Sequence, residues 1–220
     1  MSPGLERFRH IAVEGPIGVG KSTLAVRLAR HLHVEPMLER PAENPFLQRF
    51  YADMPGYAFQ TQVFFLFQRW EQMQALAQPS VFGDAVVSDF VFAKDAIFAR
   101  LNLSDEEHRL YQQLVTHLAL QVREPDVVIW LQAPTATLLQ RIRRRAISME
   151  QAIAPAYLER LADAYAAHFR TYDGAPVIAV ATEHFNPAER DADFGLLIER
   201  LSAFEGRREF LNAGGEETLA

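Results

Sequence analysis

The chain has no cysteine among its 220 residues. That excludes disulfides and thiolate metal sites, and it fits a reducing, cytoplasmic setting. No stretch approaches the ~18 consecutive apolar residues that a membrane-spanning helix needs. A core strand is reached by Phe8, which leaves no room for a signal peptide. Positive charge is not in surplus, since 28 acids stand against 22 bases for a net charge of −6. A nucleic-acid polymer favours a basic face, so it is not the expected ligand. The histidines show no metal-ligand spacing, and there is no guanine-reading Asn-Lys-x-Asp and no internal repeat. Hydrophobic residues are plentiful, at 49%. They suffice for one domain with a sizeable core.

The most informative stretch is Gly15-Pro16-Ile17-Gly18-Val19-Gly20-Lys21-Ser22-Thr23. It fits the phosphate-loop pattern without a mismatch. A short apolar run precedes it, and Leu24, Leu28 and Leu32 follow at helical spacing. Strand, glycine turn and helix are the context in which backbone N–H groups and a positive helix end cradle a phosphate chain. Lys21 adds a charge for the outer phosphates, and the Ser22 hydroxyl is placed for Mg²⁺.

Strand candidates recur at 11–13, 34–38, 85–88, 127–131 and 177–180, each followed by a helical pattern. The alternation predicts an α/β fold, a parallel five-stranded sheet with helices on both faces. Ligands in such folds sit beyond the carboxyl ends of the strands. Glu39 and Asp89 fall at two such ends. Asp89 can hold a Mg²⁺ shell or cap a helix. A short helix is predicted near Asn44, and Met54-Pro55-Gly56 reads as a turn. Residues 57–78 form a long helix apolar around more than one face, buried in the fold and also facing a second subunit. Residues 79–83 read as a loop. Ser104 and Glu107 fit a capping box ahead of a helix over 106–123. Helices are also expected over 94–101, 135–145, 156–172 and 188–204. The one over 135–145 ends in Arg141, Arg143, Arg144 and Arg145, more cations than a helix dipole needs. The single domain spans 8–204, with a polar, disordered tail at 205–220.

These residues resemble the deoxynucleoside kinases, in particular the bacterial deoxyadenosine/deoxyguanosine kinase branch. The resemblance rests on the phosphate loop with Glu14, on Glu39 followed by Asn44-Pro45-Phe46-Leu47 and Phe50-Tyr51, on Phe59-Gln60-Thr61, on Ser88-Asp89, and on Glu150-Gln151 with Tyr157-Leu158. It implies a P-loop kinase that moves a phosphoryl group from ATP, with Mg²⁺, to the 5′-hydroxyl of a deoxyribonucleoside, purine favoured, for nucleotide salvage. By the same resemblance Glu39 takes the hydroxyl proton, Gln60 pairs with the base, Tyr51 and Glu150 hold the sugar 3′-hydroxyl, and Arg141 and Arg145 close on the phosphates. Phe59, Phe64 and Phe90 are candidate stacking walls. A homodimer and a lid around 141–151 are also implied. Two places depart from the family pattern. Many members have Glu-Arg-Ser at the end of the third strand, where this chain reads Val87-Ser88-Asp89-Phe90 without an arginine, and Arg69 or Lys94 are the available substitutes. Ile147 occupies a place where relatives often carry a lid arginine, so the lid grips less tightly or Arg143 and Arg144 take over. A nucleoside monophosphate kinase of thymidylate kinase type stays open, because Arg40, Arg49 and Arg69 are available for a second phosphate. A nucleotide switch without transfer chemistry is the more distant alternative.

Overall fold

The computed structural model describes residues 4–77, 85–118 and 122–212. Its sheet has six strands in the order β2-β3-β1-β4-β5-β6, every neighbouring pair parallel. They are β1 (His10–Glu14), β2 (Pro36–Met37), β3 (Val86–Ser88), β4 (Val127–Gln132), β5 (Val177–Ala181) and β6 (Arg208–Leu211). The helices are α1 (Lys21–Leu32), α2 (Leu47–Ala52), α3 (Met54–Ala77), α4 (Lys94–Asn102), α5 (Asp105–His117), α6 (Thr135–Arg145), α7 (Pro155–Thr171) and α8 (Asp191–Ala203).

Strands β1 and β4 are almost fully buried and read as continuous apolar runs, as strands covered on both faces must. Trp130 stacks on Phe169 of α7 at 4.9 Å between ring centroids. Helices α1 and α8 meet through His31 and Phe194. β1 has β3 on one side and β4 on the other. The chain order reverses there, and the loop after β1 opens into the resulting crevice.

Four expectations need correction. The sheet has six strands, because residues 208–211 of the expected disordered tail pair with β5 and bury Leu211. Residues 54–56 are the first turn of α3, where Asp53 accepts the Gly56 N–H at 3.2 Å and Pro55 gives up an N–H that a first turn does not use. The region near Asn44 splits into a 3₁₀ turn over Pro41–Glu43 and then α2. Helix α5 stops at His117, and Val122 and Arg123 are not helical. The expected capping box is present, with Ser104 Oγ on the Glu107 N–H and Glu107 Oε2 on the Ser104 N–H. The loop expected at 79–83 lies outside the described residues, as do residues 213–220.

Candidate active site

The phosphate loop is shaped by glycines at positions no other residue fits. Gly15 has φ +148°, and a Cβ there would stand 2.4 Å from the Leu131 carbonyl. Gly18 has φ +83°, and a Cβ there would stand 2.8 Å from Ile142 Cγ1 and 2.9 Å from the Leu138 carbonyl. The loop therefore lies tight between β4 and α6. Glu14, wholly buried at the end of β1, accepts N–H bonds from Gly15 and Val91 and the Tyr165 hydroxyl. A buried carboxylate with three donors ties the start of the loop to the segment after β3.

Two cavities meet at this loop. The first is lined by Gly18 to Thr23, by Arg141, Arg144 and Arg145 of α6, and by Asn186, Ala188 and Glu189. The second is a cleft with about 900 Å³ of empty volume, mouth included. Its walls include Ile17, Glu39, Tyr51, Gln62, Arg69, Asp89, Asn102, Glu150 and Tyr157. Gly18, Lys21, Ser22 and Arg145 line both. A group bound along the loop can thus reach whatever fills the cleft.

Glu39 follows β2 and faces this junction. Arg69 grips its Oε1 through Nε at 2.8 Å and Nη2 at 2.7 Å, and Lys94 Nζ stands 3.2 Å from Oε2. Burial pushes the Glu39 carboxyl up, but Lys94 and Arg69 outweigh it and hold the group near a pKa of about 2. Both substitutes for the absent arginine therefore converge on Glu39. Asp89 accepts the Glu39 N–H at 2.7 Å on one oxygen and the Ser22 hydroxyl on the other. It caps no helix, since α4 begins after Ala93. Lys21 donates to the carbonyls of Gly15 and Pro16 at 2.7 and 3.1 Å. Burial and Lys94 pull its pKa down to about 8, against the nearby Glu14, Glu39 and Asp89.

Tyr51 and Glu150 come together in the cleft wall, and Arg145 donates to Glu150 Oε2. Burial drives the Tyr51 hydroxyl far above its ordinary pKa. Arg141 is placed otherwise than expected. Its guanidinium lines the first cavity but is engaged by the Val19 carbonyl at 3.0 Å and by Thr182 Oγ1 and O at 2.8 and 2.6 Å. It buttresses the loop where the sequence reading has it closing on phosphate.

Gln60 is the clear misplacement. It is exposed, its amide reaching only the Gly56 carbonyl at 3.4 Å, and it lines an outward groove with Phe59 and Phe64. Phe90 is sealed in the core. The cleft side of α3 carries Ala58, Thr61, Gln62, Phe65 and Arg69. That stripe has the three-to-four spacing of one helix face. Gln62 is buried in this wall, and its Nε2 donates to the Asp95 carbonyl at 2.9 Å. Taking Arg69 to mark the inward face would have found Gln62 from sequence. Tyr157 belongs to the stretch that carries the resemblance but was given no role there, and Asn102, Asn186 and Glu189 carried no comparable signal. The Tyr157 hydroxyl is buried without a hydrogen-bond partner among the described residues.

A parallel sheet with a phosphate loop, a lysine and serine at its helix start, and an ionised carboxylate across a second cavity define a P-loop phosphotransferase with a small acceptor. A family model described as deoxynucleoside kinase matches residues 11–204. The chain belongs to the deoxynucleoside kinase family, and its reaction is the phosphorylation of a deoxynucleoside. It is 34% identical over 156 residues to a deoxyguanosine kinase of Bacillus subtilis (strain 168), covering 70% of this chain and 75% of the relative. It is 35% identical over 161 residues to a deoxyadenosine kinase of Dictyostelium discoideum, covering 71% and 64%. A solved structure of deoxyadenosine kinase from M. mycoides with bound dCTP superposes with a TM-score of 0.74 at 26% identity, covering 89% of this chain and all of that one.

Proposed function

We propose that the enzyme transfers the γ-phosphoryl group of ATP to the 5′-hydroxyl of a purine deoxynucleoside, with Glu39 receiving the hydroxyl proton. The observation that carries this reading is the ionised Glu39 in the wall of the cleft, which shares Lys21 and Ser22 with the cavity along the phosphate loop. The hydroxyl oxygen forms the new P–O bond, the bridge to the β-phosphate breaks, and the proton passes to Glu39. A carboxylate with a pKa of about 2 is a weak base for an alcohol. In a loose phosphoryl-transfer transition state, however, the proton leaves late, so the first duty of the group is to orient the hydroxyl. Lys21 and the loop N–H groups hold the donor phosphates, and Arg145 stabilises charge on the group in flight.

Ser22 and Asp89 present a hydroxyl and a carboxylate in mutual contact. This all-oxygen pair suits a hard cation such as Mg²⁺. Such an ion would neutralise charge between the β- and γ-phosphates. Among the described residues no cluster of three or more histidines and acids could hold a further metal.

Gln62 replaces Gln60 as the base-reading residue in this proposal, and Tyr51 with Glu150 takes the 3′-hydroxyl. The Gln62 amide oxygen suits an exocyclic amine. The deoxyguanosine and deoxyadenosine kinases among the relatives support a purine. Arg69 is tied to Glu39 and Asp95, and Arg40 to Glu43, which speaks against a second phosphate in the cleft. The outward groove of α3, with Phe59, Val63, Phe64 and a 38% exposed Phe67, is given to a second copy of the chain. A cytoplasmic setting is part of this proposal. Among the described residues no helix is long and apolar enough to cross a membrane.

Initial rates with ATP and each of the four deoxynucleosides test the proposal. Deoxyadenosine and deoxyguanosine are expected to outrun the pyrimidines and to yield monophosphates. Faster turnover of deoxynucleoside monophosphates would overturn it. Gln62→Ala is expected to raise KM for the deoxynucleoside by about 10- to 100-fold, as loss of a buried hydrogen bond to a ligand does. Gln60→Ala is expected to leave it within about twofold. The reverse pattern would restore the assignment made from sequence.

A further inference from the structure

Behind the cleft lies a buried polar cluster, two of whose members, Asp95 and Tyr111, touch neither cavity. Asp95 is 1% exposed on the first turn of α4 and is not part of the cleft wall. Its Oδ1 accepts Arg69 Nη1, its Oδ2 accepts the Tyr111 hydroxyl, and its backbone carbonyl accepts Gln62 Nε2. Tyr111 comes from α5, 5% exposed, in a small apolar cluster with Leu66 and Ala99. Helix α5 supplies no group to either cavity.

Nε and Nη2 of Arg69 go to Glu39. The connections thus run from Tyr111 to Asp95, and from Asp95 along two branches. One passes through the Arg69 guanidinium to Glu39. The other passes through the residue-95 backbone to the Gln62 amide. A guanidinium is planar and rigid, so fixing one edge fixes the other. An amide whose nitrogen is committed presents its oxygen in a defined direction.

We propose that Tyr111 is a positioning residue for phosphoryl transfer, its hydroxyl holding Asp95 so that Arg69 keeps Glu39 aligned and Gln62 keeps its amide oxygen towards the base. This rests on the roles given above to Glu39 and Gln62. The groups facing Asp95 are Arg69 and Gln62 from α3 and Tyr111 from α5, with Lys94 adjacent on α4. Burial raises the Asp95 carboxyl, and Arg69, Tyr111 and Gln62 oppose that rise. Removing the Tyr111 hydroxyl withdraws a donor that favours the anion, so Asp95 takes up its proton at higher pH.

The test is Tyr111→Phe, which keeps the ring and its packing. Expected are a kcat lowered about tenfold, a raised KM for the deoxynucleoside, an unchanged KM for ATP, and an acid limb of kcat displaced upward by about one pH unit. The decisive measurement is the double variant with Glu39→Gln. If Tyr111 acts through Arg69 and Glu39, Tyr111→Phe adds little to the kcat loss of Glu39→Gln. The same factor lost in both backgrounds, or a lowered melting temperature with kcat and the acid limb unmoved, overturns the proposal. Asp95→Asn provides the second variant, expected to reproduce the Tyr111→Phe kinetics, and wild-type kinetics there overturn it too. Full activity of Glu39→Gln alone is a separate result, which removes the base role and not the Tyr111 linkage to Gln62. That linkage is then judged on the deoxynucleoside KM, which Tyr111→Phe must still raise.

Discussion

Glu39→Gln is expected to lower kcat about 10³-fold while ATP still binds. The magnitude is that of a positioned acid–base group, ~10²–10⁴. Glutamine keeps the size of the side chain and can hydrogen-bond the substrate hydroxyl, but it cannot take the proton. It also leaves Arg69 with Asp95 and Lys94 with Glu14, at 3.8 Å, as their remaining anionic partners. A drop of several degrees in melting temperature should therefore accompany the rate loss. The pH dependence separates the two effects. The folded-state pKa of Glu39 is depressed from 4.5 to about 2. The stability this contributes is fully present above 4.5 and is lost as pH falls towards 2. Melting temperature followed across that window should fall more steeply for the wild type than for Glu39→Gln. Turnover within twofold of wild type would remove Glu39 from the chemistry.

Lys21→Ala is expected to reduce kcat/KM for ATP by about 10³-fold or more, through both terms. The Lys21 ammonium lies across the mouth of the loop on the Gly15 and Pro16 carbonyls. An arriving phosphate offers it a far stronger partner. Its pKa is depressed to about 8 by burial and by Lys94. Phosphate binding must raise that value, so nucleotide binding takes up protons near and above pH 8. KM for ATP in the wild type is expected to rise as pH passes 8, and the alanine variant should lack that rise. ATP binding followed by calorimetry in two buffers of different ionisation enthalpy reads the proton uptake directly. Equal ATP affinity in wild type and variant would contradict the assignment.

Much of the fold was legible because its signals are local. The phosphate loop needs glycines where a Cβ would strike backbone, and those glycines stand in the sequence as a pattern. Five strands announce themselves by apolar runs. The sixth, Arg208–Leu211, carries a polar start and is half solvated, so it reads as tail; only the neighbouring β5 makes it a strand. In the site, Glu39 and Asp89 were found because strand ends mark them. Gln60 was assigned from the resemblance of Phe59-Gln60-Thr61 to the family, and position along a helix does not state which face turns inward. That information sits in Arg69, seven residues beyond Gln62 and two turns along the same face. Arg141 reads as a phosphate ligand from its place in a basic run, and its engagement by Thr182 is long-range pairing that no local pattern encodes.

β6 has a practical side for anyone shortening the chain. Trimming at Glu205, where the sequence turns polar, would strip the outer neighbour from Val177–Ala181 and take Leu211 out of the core. An unpaired parallel edge of that apolar character invites another molecule's backbone to dock on it. Trouble with such a preparation would then show itself as clumping rather than as weak catalysis.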